Sequence, residues 1–450
     1  MLLAKFRAVE RLKMRSRLSL LGHRLLFRLH STGIASVSQP TVTSSSHDDD
    51  EERIKQLVLD YSNYSPSPLS IKQLTDFGKT ANVSQSFNFL RKEMPIRLAA
   101  TLLEFDLLPE KLAETRYVSI VKNWYKQSFK DLMQFRDKGE NDLAAAEWFT
   151  RVAAGIKQRH ANVVETMAQG INEMKEKYGE HTVDTYRAEI QYFLDRFYMN
   201  RISMRLLLSQ HVALFADEET DGHNVGIIDT HCNVVSVIQD AATNARRLCE
   251  SYYSVAPAVT FRTIGSPGDG MTVAYVASHL FHIMFELLKN SCRAVVEHHS
   301  SSDYLPAIEV MVTKGKEDIC IKVSDQGGGI NRSALHKLFH YHYSTAPQPD
   351  ANLTAIIAPL AGYGYGLPLS RIYARYFTGD LLVTSMKGYG TDVHVYLKKL
   401  SSHAKEVLPL YGTTAKQQYK HKDLPPDWSS ATHGGSSHRR FSTFIDLMDV

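Results

Sequence analysis

The spacing of apolar residues changes once along this chain, and that change limits what it can fold into. From residue 53 to about 215 the pattern is helical. In "VSIVKNWYKQSFKDLMQF", Val118, Val121, Tyr125, Phe129 and Leu132 recur every three or four residues. In "EIQYFLDRFYMNRISMRLLLSQHVALF", Ile190, Phe193, Phe197, Met204 and Leu208 share one stripe. Punctuation such as "NYSPSPLS" separates these runs, so an antiparallel helical bundle is the economical reading. After the polar break "FADEETDGHNVGIIDTHCNV" the period falls to two. "AIEVMVTKGKEDICIKVSD" alternates Ile308, Val310, Val312, then Ile319, Ile321, Val323 around a charged turn, which predicts a hairpin with one buried face. "DLLVTSMKGYGTDVHVYLKKL" repeats the arrangement around glycines. A helix over 233–253, a short strand and a long helix precede these hairpins, so a mixed α/β sandwich is expected over about 216–400. Beyond 400 the chain reads as a polar tail, with "HGGSSHRRFS" near its end.

At 450 residues and 43% hydrophobic, the chain can bury a full core in each half. Its net charge of +4 is unevenly spread. Eight Lys and Arg residues precede Ser31 against Glu10 alone, so the remainder is mildly acidic and nothing points to nucleic acid. The Arg-rich leader is interleaved with leucines and followed by Ser/Thr-rich sequence, the composition of a mitochondrial presequence over 1–46. "LSLLGHRLLF" is broken by His23 and Arg24, too short an apolar run for a secretory signal. No stretch has the length and apolarity of a transmembrane segment. Cys232, Cys249, Cys292 and Cys320 form no CxxC pair and read as reduced core thiols.

The long helix carries a polar stripe. In "FELLKNSCRAVVEHH", Glu286, Lys289, Asn290 and Arg293 fall on one face while Leu288, Cys292 and Val295 point toward a core. Three glycine segments follow it: "SDQGGGI", "LAGYGYGLPLSR" and "KGYGTDV". Each alone is a turn that needs positive φ. In series they suggest a ligand site. Asp325 ends a strand just before glycines, where its carboxylate can accept a hydrogen bond from an exocyclic amine such as adenine N6. "GYGYGL" opens onto a helix whose first turn holds Pro368, an arrangement that suits a polyphosphate. Asn290 offers a neutral oxygen of the kind Mg²⁺ takes.

The ordered set "ELLKN", "DQGGG", "GYGYGL" and "GYGTD" resembles the N, G1, G2 and G3 boxes of the GHKL ATPases. "HIMFELLKNSCRAVVEHH", "YHYSTAP", "GYGYGLPLSRIYARYFTGDL", "FLRKEMPIRLA" and "NRISMRLLLSQH" are similar to the pyruvate dehydrogenase kinase family, over about residues 60 to 428. That resemblance implies an α+β fold, an N-terminal four-helix bundle followed by a GHKL-type α/β sandwich that binds nucleotide. The implied boundaries are 53–215 for the regulatory, lipoyl-docking bundle, 216–400 for the ATP-binding kinase domain and 401–450 for the tail. The implied reaction is transfer of phosphate from Mg-ATP to serine on the E1α subunit of the pyruvate dehydrogenase complex, which inactivates it.

By the same resemblance Glu286 takes or orients the serine proton and His282, one turn earlier, tunes it. Asn290 holds Mg²⁺. Lys289 and Arg293 add positive potential or structural pairing. Asp325, with Gly327 and Gly329 of the first glycine box, faces adenine, while Ser344, Thr345 and Thr391 border the nucleotide. Gly362, Tyr363, Gly364, Tyr365, Gly366 and Leu367 cap the phosphates as part of a lid that includes "QPDANLTAIIAPLAG". Leu98, Tyr125, Ser128, His160, Arg201 and Arg205 correspond to a pocket for pyruvate and its analogues, in which paired guanidiniums suit a small carboxylate. Read without the family, Arg201 and Arg205 are a solvated basic patch. Implied partners are the lipoyl domain of E2 and a second copy in a homodimer. Asp427 and Trp428 would anchor crossing tails, and the location would be the mitochondrial matrix. Three rival readings remain: a branched-chain 2-oxoacid dehydrogenase kinase, a non-catalytic nucleotide-binding scaffold on the same complex, and a histidine kinase that phosphorylates His160. "RHANVVETM" lacks the proline usual after such a histidine.

Overall fold

The computed structural model describes residues 45–216, 223–265, 270–302, 304–343 and 364–412, with side chains from residue 50 onward. The leader through residue 44, Ser344, Thr345, Gly362, Tyr363, the segment "QPDANLTAIIAPLAG", Asp427 and Trp428 lie outside the described residues. From Ile54 onward the chain forms one compact unit.

The helical region opens with α1 (Ser45–Tyr61), α2 (Ile71–Thr80) and α3 (Val83–Phe105). Two capping boxes start α2 and α3: Ser70 with Gln73, and Asn82 with Gln85. In each, the side chains reciprocally satisfy backbone N–H groups that have no helical partner. Long helices α4 (Arg116–Met133), α5 (Leu143–Arg159), α6 (Val163–Tyr178) and α7 (Arg187–Phe215) follow. Helices α3, α4, α5 and α7 pack on one another as the expected four-helix bundle, and α6 lies against α4. The helical stripes read from sequence point into this core: Val121, Tyr125, Phe129, Leu132 and Phe193 are fully buried. Phe105 meets Phe193 and Phe197 edge-on at 5.2 and 5.5 Å. Such edge-to-face pairs add about 0.5–1.5 kcal/mol each beyond the area they bury.

The second region comprises β1 (Asn224–Val225), β2 (Ile228–Asn233), α8 (Val234–Tyr253), β3 (Val259–Ile264), β4 (Thr272–Tyr275) and α9 (Ala277–His298). It continues with β5 (Ile308–Lys314), β6 (Asp318–Asp325), α10 (Gly366–Tyr376), β7 (Asp380–Met386) and β8 (Gly390–Lys398). Among the described residues, strands β3-β5-β6-β8-β7 form one sheet in that order and β1-β2-β4 a smaller one. Only the β3–β5 pair of the larger sheet is parallel. The two hairpins are where the alternation put them, and Ile308, Val310, Val312, Ile319, Ile321 and Val323 are each at most 1% exposed. The single strand expected before α9 is in fact two, β3 and β4, in different sheets. β3 is a sheet edge with mostly exposed residues, and β4 has four residues, so neither presents a long alternating pattern.

Two sequence expectations about polar residues change. Arg201 is not part of a solvated patch: it is 7% exposed, because α7 is covered by α3, α5 and α10. The chain past Leu400 does not leave the body as a polar tail at once. Ala404 and Glu406 are buried, and Glu406 reaches Arg97 and the Leu69 backbone in the helical region. Cys232, Cys249 and Cys292 are buried free thiols and Cys320 is half-buried.

Candidate functional site

Helix α9 sets the floor of the site. Leu280, Ile283, Met284, Leu287, Leu288, Cys292 and Val295 anchor it in the core, which fixes the direction of the opposite face. The four stripe residues behave differently there. Lys289 is nearly buried, donates to Glu286 Oε1 at 2.8 Å and lies over the Phe285 ring at 5.4 Å. Arg293 pairs with Glu297 at 2.7 Å, and Tyr253 donates to the same carboxylate. Asn290 is exposed and its side chain has no hydrogen-bond partner among the described residues.

The other oxygen of Glu286 faces the start of α10. A Cβ built on Gly366 would sit 2.2 Å from Glu286 Oε2, so any larger residue here must displace the carboxylate. Helix α10 thus begins directly over the carboxylate of the N-box helix. Tyr365, one residue before it, bonds His342 through its hydroxyl at 2.6 Å, and Leu367 packs on the core from the first turn. His282 lies one turn before Glu286 with Nε2 buried and unpartnered. Burial holds its imidazole below the usual histidine pKa, against the pull of Glu286.

The first and third glycine segments are sewn together. Asp325 and Thr391 pair in register between β6 and β8. The Gly328 amide donates to Tyr389 O and the Gly388 amide to Gly328 O, at 3.1 and 2.8 Å. Gly329 has φ +64° and passes so near Met386 O that a Cβ would lie 2.0 Å away. Asp325 is buried. Ser291 Oγ donates to its Oδ2 at 2.9 Å and the Gly327 amide to its Oδ1 at 3.0 Å. Burial raises its pKa, opposed by those two hydrogen bonds and one from the Thr391 backbone. A carboxylate has about four acceptor sites, which leaves room for an outside donor. Thr391 Oγ1 lies 3.0 Å from Ser385 Oγ, and Ser385 also receives the Ile330 amide.

In the bundle, Tyr125 stacks on His160 at 4.4 Å, and His160 Nε2 lies 3.0 Å from Ser128 Oγ. Arg201 donates to the carbonyls of His160 and Ala161, and Arg205 approaches the Lys157 carbonyl at 3.4 Å. Leu98 is fully buried on α3 in the same core. Burial lowers the His160 pKa to about 3, with Arg201, Arg159 and Arg205 adding to the effect, so the ring is neutral. Tyr125 Oη and Arg201 Nε are buried without partners. An unmatched phenol and an unmatched N–H of the Arg201 guanidinium, with the Arg205 guanidinium nearby, suit a small anion. Sequence reasoning missed Arg159, which donates to Ser128 Oγ at 2.7 Å and pairs with Asp131, although it adjoins His160. It also missed Ser291, adjacent to Asn290 but turned inward to Asp325.

Residues 275–401 match the family described as histidine kinase-, DNA gyrase B- and HSP90-like ATPase. Residues 68–229 match the family described as mitochondrial branched-chain alpha-ketoacid dehydrogenase kinase. A mitochondrial pyruvate dehydrogenase (acetyl-transferring) kinase of Drosophila melanogaster is 48% identical over 376 residues, 82% of this chain and 91% of its own length. The chain belongs to the mitochondrial pyruvate dehydrogenase kinase family. Isozyme 3 of Mus musculus is 48% identical over 84% of this chain and 92% of its own, and isozyme 4 of Homo sapiens 48% over 82% and 90%. Membership explains why the ATPase boxes and the helical half occur together. It also displaces the histidine-kinase reading, since His160 is 3% exposed and stacked in the bundle core. Among the described residues no helix is long and apolar enough to cross a membrane.

Proposed function

We propose that this protein is a mitochondrial serine kinase that phosphorylates the E1α subunit of the pyruvate dehydrogenase complex with ATP and so inactivates the complex. The observation that carries the reading is the pairing of Glu286 with the glycine that begins α10, with an unengaged Asn290 one turn further along α9. In this reading Glu286 accepts the hydroxyl proton of the attacking serine. Lys289 fixes one carboxylate oxygen by its 2.8 Å bond and leaves the other toward the reacting centre. His282 stays neutral beside it and adds no competing charge.

The residues fit ATP and Mg²⁺. Among the described residues no cluster of three His, Cys, Asp or Glu side chains is placed to hold a metal. A single neutral Asn290 is therefore the expected protein ligand, because Mg²⁺ takes its remaining ligands from phosphates and water. When bound, the ion would offset charge on the transferring phosphoryl group. Asp325, presented by Ser291 and the Gly327 amide, accepts from the adenine amine. The backbone amides at Gly364–Leu367 face phosphate, and Thr391 borders the nucleotide. Arg293 supports the rim through Glu297. Tyr125, Ser128, His160, Arg201 and Arg205, with Leu98 behind them, form the regulatory pocket for pyruvate. The protein acts in the matrix as a homodimer docked on the E2 lipoyl domain, with Asp427 and Trp428 anchoring the tails.

Purified protein with Mg-ATP is expected to label E1α on serine, and Glu286→Gln to abolish transfer while ATP still binds. Because the helical half matches the branched-chain kinase family, branched-chain E1 belongs in the same assay. Labelling of that substrate alone assigns the second function. Absence of transfer to either leaves the scaffold reading.

A further inference from the structure

Helices α9 and α10 run antiparallel along one seam. Gly366 meets Glu286, the Tyr373 ring meets His282 at 4.7 Å and His279 at 4.8 Å, and Phe377 meets His279 at 6.4 Å and Tyr275 at 5.9 Å. Gly366 and Tyr373 are seven residues apart, so they lie on the same face of α10, as His282 and Glu286 do on α9. His282 Nε2 and His279 Nδ1 are both buried without hydrogen-bond partners. No bond to Nε2 sets the direction of the His282 ring, which leaves packing to hold that side of it. Tyr373 is an aromatic side chain in contact with that ring.

We propose that Tyr373 is a positioning residue for phosphoryl transfer: its ring holds the His282 imidazole beside Glu286, in the orientation the carboxylate needs to receive the serine proton. The proposal rests on the kinase reading of Glu286. Glu286 and Lys289 on α9 and Arg201 on α7 bear on the His282 charge, His279 on α9 interacts with His282 and is itself acted on by Arg205 of α7, and Tyr373 of α10 lies against the His282 ring. Burial keeps the imidazole neutral, and the cations Lys289 and Arg201 act in the same direction. Removing the ring above it admits water and returns the imidazole toward an ordinary pKa of about 6.5.

Three proteins test this: wild type, Tyr373→Phe and Tyr373→Leu. Transfer to E1α is measured from pH 5.5 to 8.5 alongside equilibrium ATP binding. Histidine side-chain NMR follows the His282 titration in the same samples, assigned with His282→Gln. Tyr373→Phe keeps the ring and retains most of the activity. Tyr373→Leu lowers kcat on the order of tenfold with ATP affinity unchanged, since a displaced catalytic group loses rate rather than binding. Its kcat acquires an acid limb near pH 6, and His282 titrates in the same range. Wild-type kcat in Tyr373→Leu, or a loss of kcat with unchanged pH profile and His282 titration, overturns the proposal. The NMR titration does not depend on transfer, so a wild-type protein that fails to label E1α sinks the kinase reading alone. An unmoved His282 in Tyr373→Leu sinks the positioning role.

Discussion

At Gly366, Glu286 Oε2 occupies the place where a side chain would begin. Gly366→Ala must push the carboxylate or the start of α10 aside. Misplacement of this kind costs rate on the order of a hundredfold, so steady-state kinetics should show kcat reduced to that extent. The thermal midpoint should move little, since the clash can be relieved by swinging the end of the Glu286 side chain. Ser291→Ala tests the opposite wall. It removes one of the donors to Asp325, worth about 1 kcal/mol, and ATP binding by calorimetry should weaken about fivefold. At this scale the sequence was informative where chemistry and spacing coincide. Glu286, Asn290 and Asp325 stand out in the sequence because polar groups flanking apolar helices and strands need a reason. Ser291 does not, because a serine that faces inward looks in sequence like one that faces water.

Helix α7 shows how an element hides its polar residues. It is buried on several sides, so its stripe is wider than the apolar positions read from sequence, and half-buried Asp195 sits at its edge. Tyr341 Oη donates to Asp195 Oδ1 at 2.9 Å and Gln191 donates to the same carboxylate. Burial pushes the Asp195 carboxyl up to about 7, against the hydrogen bonds from Tyr341 and Gln191. A carboxyl whose folded pKa lies above its unfolded value binds more protons when folded. It therefore weakens folding as pH rises from about 4 to 7, and the loss is complete above that window. Asp195→Asn keeps the acceptor oxygen without the titration. Urea unfolding should find the variant gaining stability relative to wild type between pH 5 and pH 8. An equal difference at both pH values would show that Asp195 does not titrate there. The β5–β6 and β7–β8 hairpins were easier to read, since one face of each alternates cleanly.

Across the whole molecule, one buried charge cluster joins both ends of the described chain. Arg97 is fully buried and bonds Glu93 and Glu406 at 2.8 Å each, with Ser203 and the Ser67 carbonyl completing its donors. Tyr376, near the end of α10, donates to Glu406 as well. Glu406→Ala leaves the Arg97 guanidinium short of one carboxylate in the interior. Breaking a buried pair in this way costs about 3–5 kcal/mol, so the thermal midpoint should fall by several degrees in calorimetry. Glu406→Gln should recover part of the loss by keeping the acceptor for Tyr376 and the Leu69 amide. An unchanged midpoint in both variants would mean that the cluster does not hold the two regions together.

The change from helical to alternating period, the hairpins and the order of the glycine boxes can be read from the residues alone, because those follow from local chain geometry and turn chemistry. The residues also carry the resemblance that the relatives confirm. Only the tertiary structure decided that Glu286 meets the first residue of α10, that Arg201 is covered and that Glu406 lies against Arg97, 309 residues away. Whether a polar side chain is buried depends on what folds over it from elsewhere in the chain. Local spacing does not contain that information.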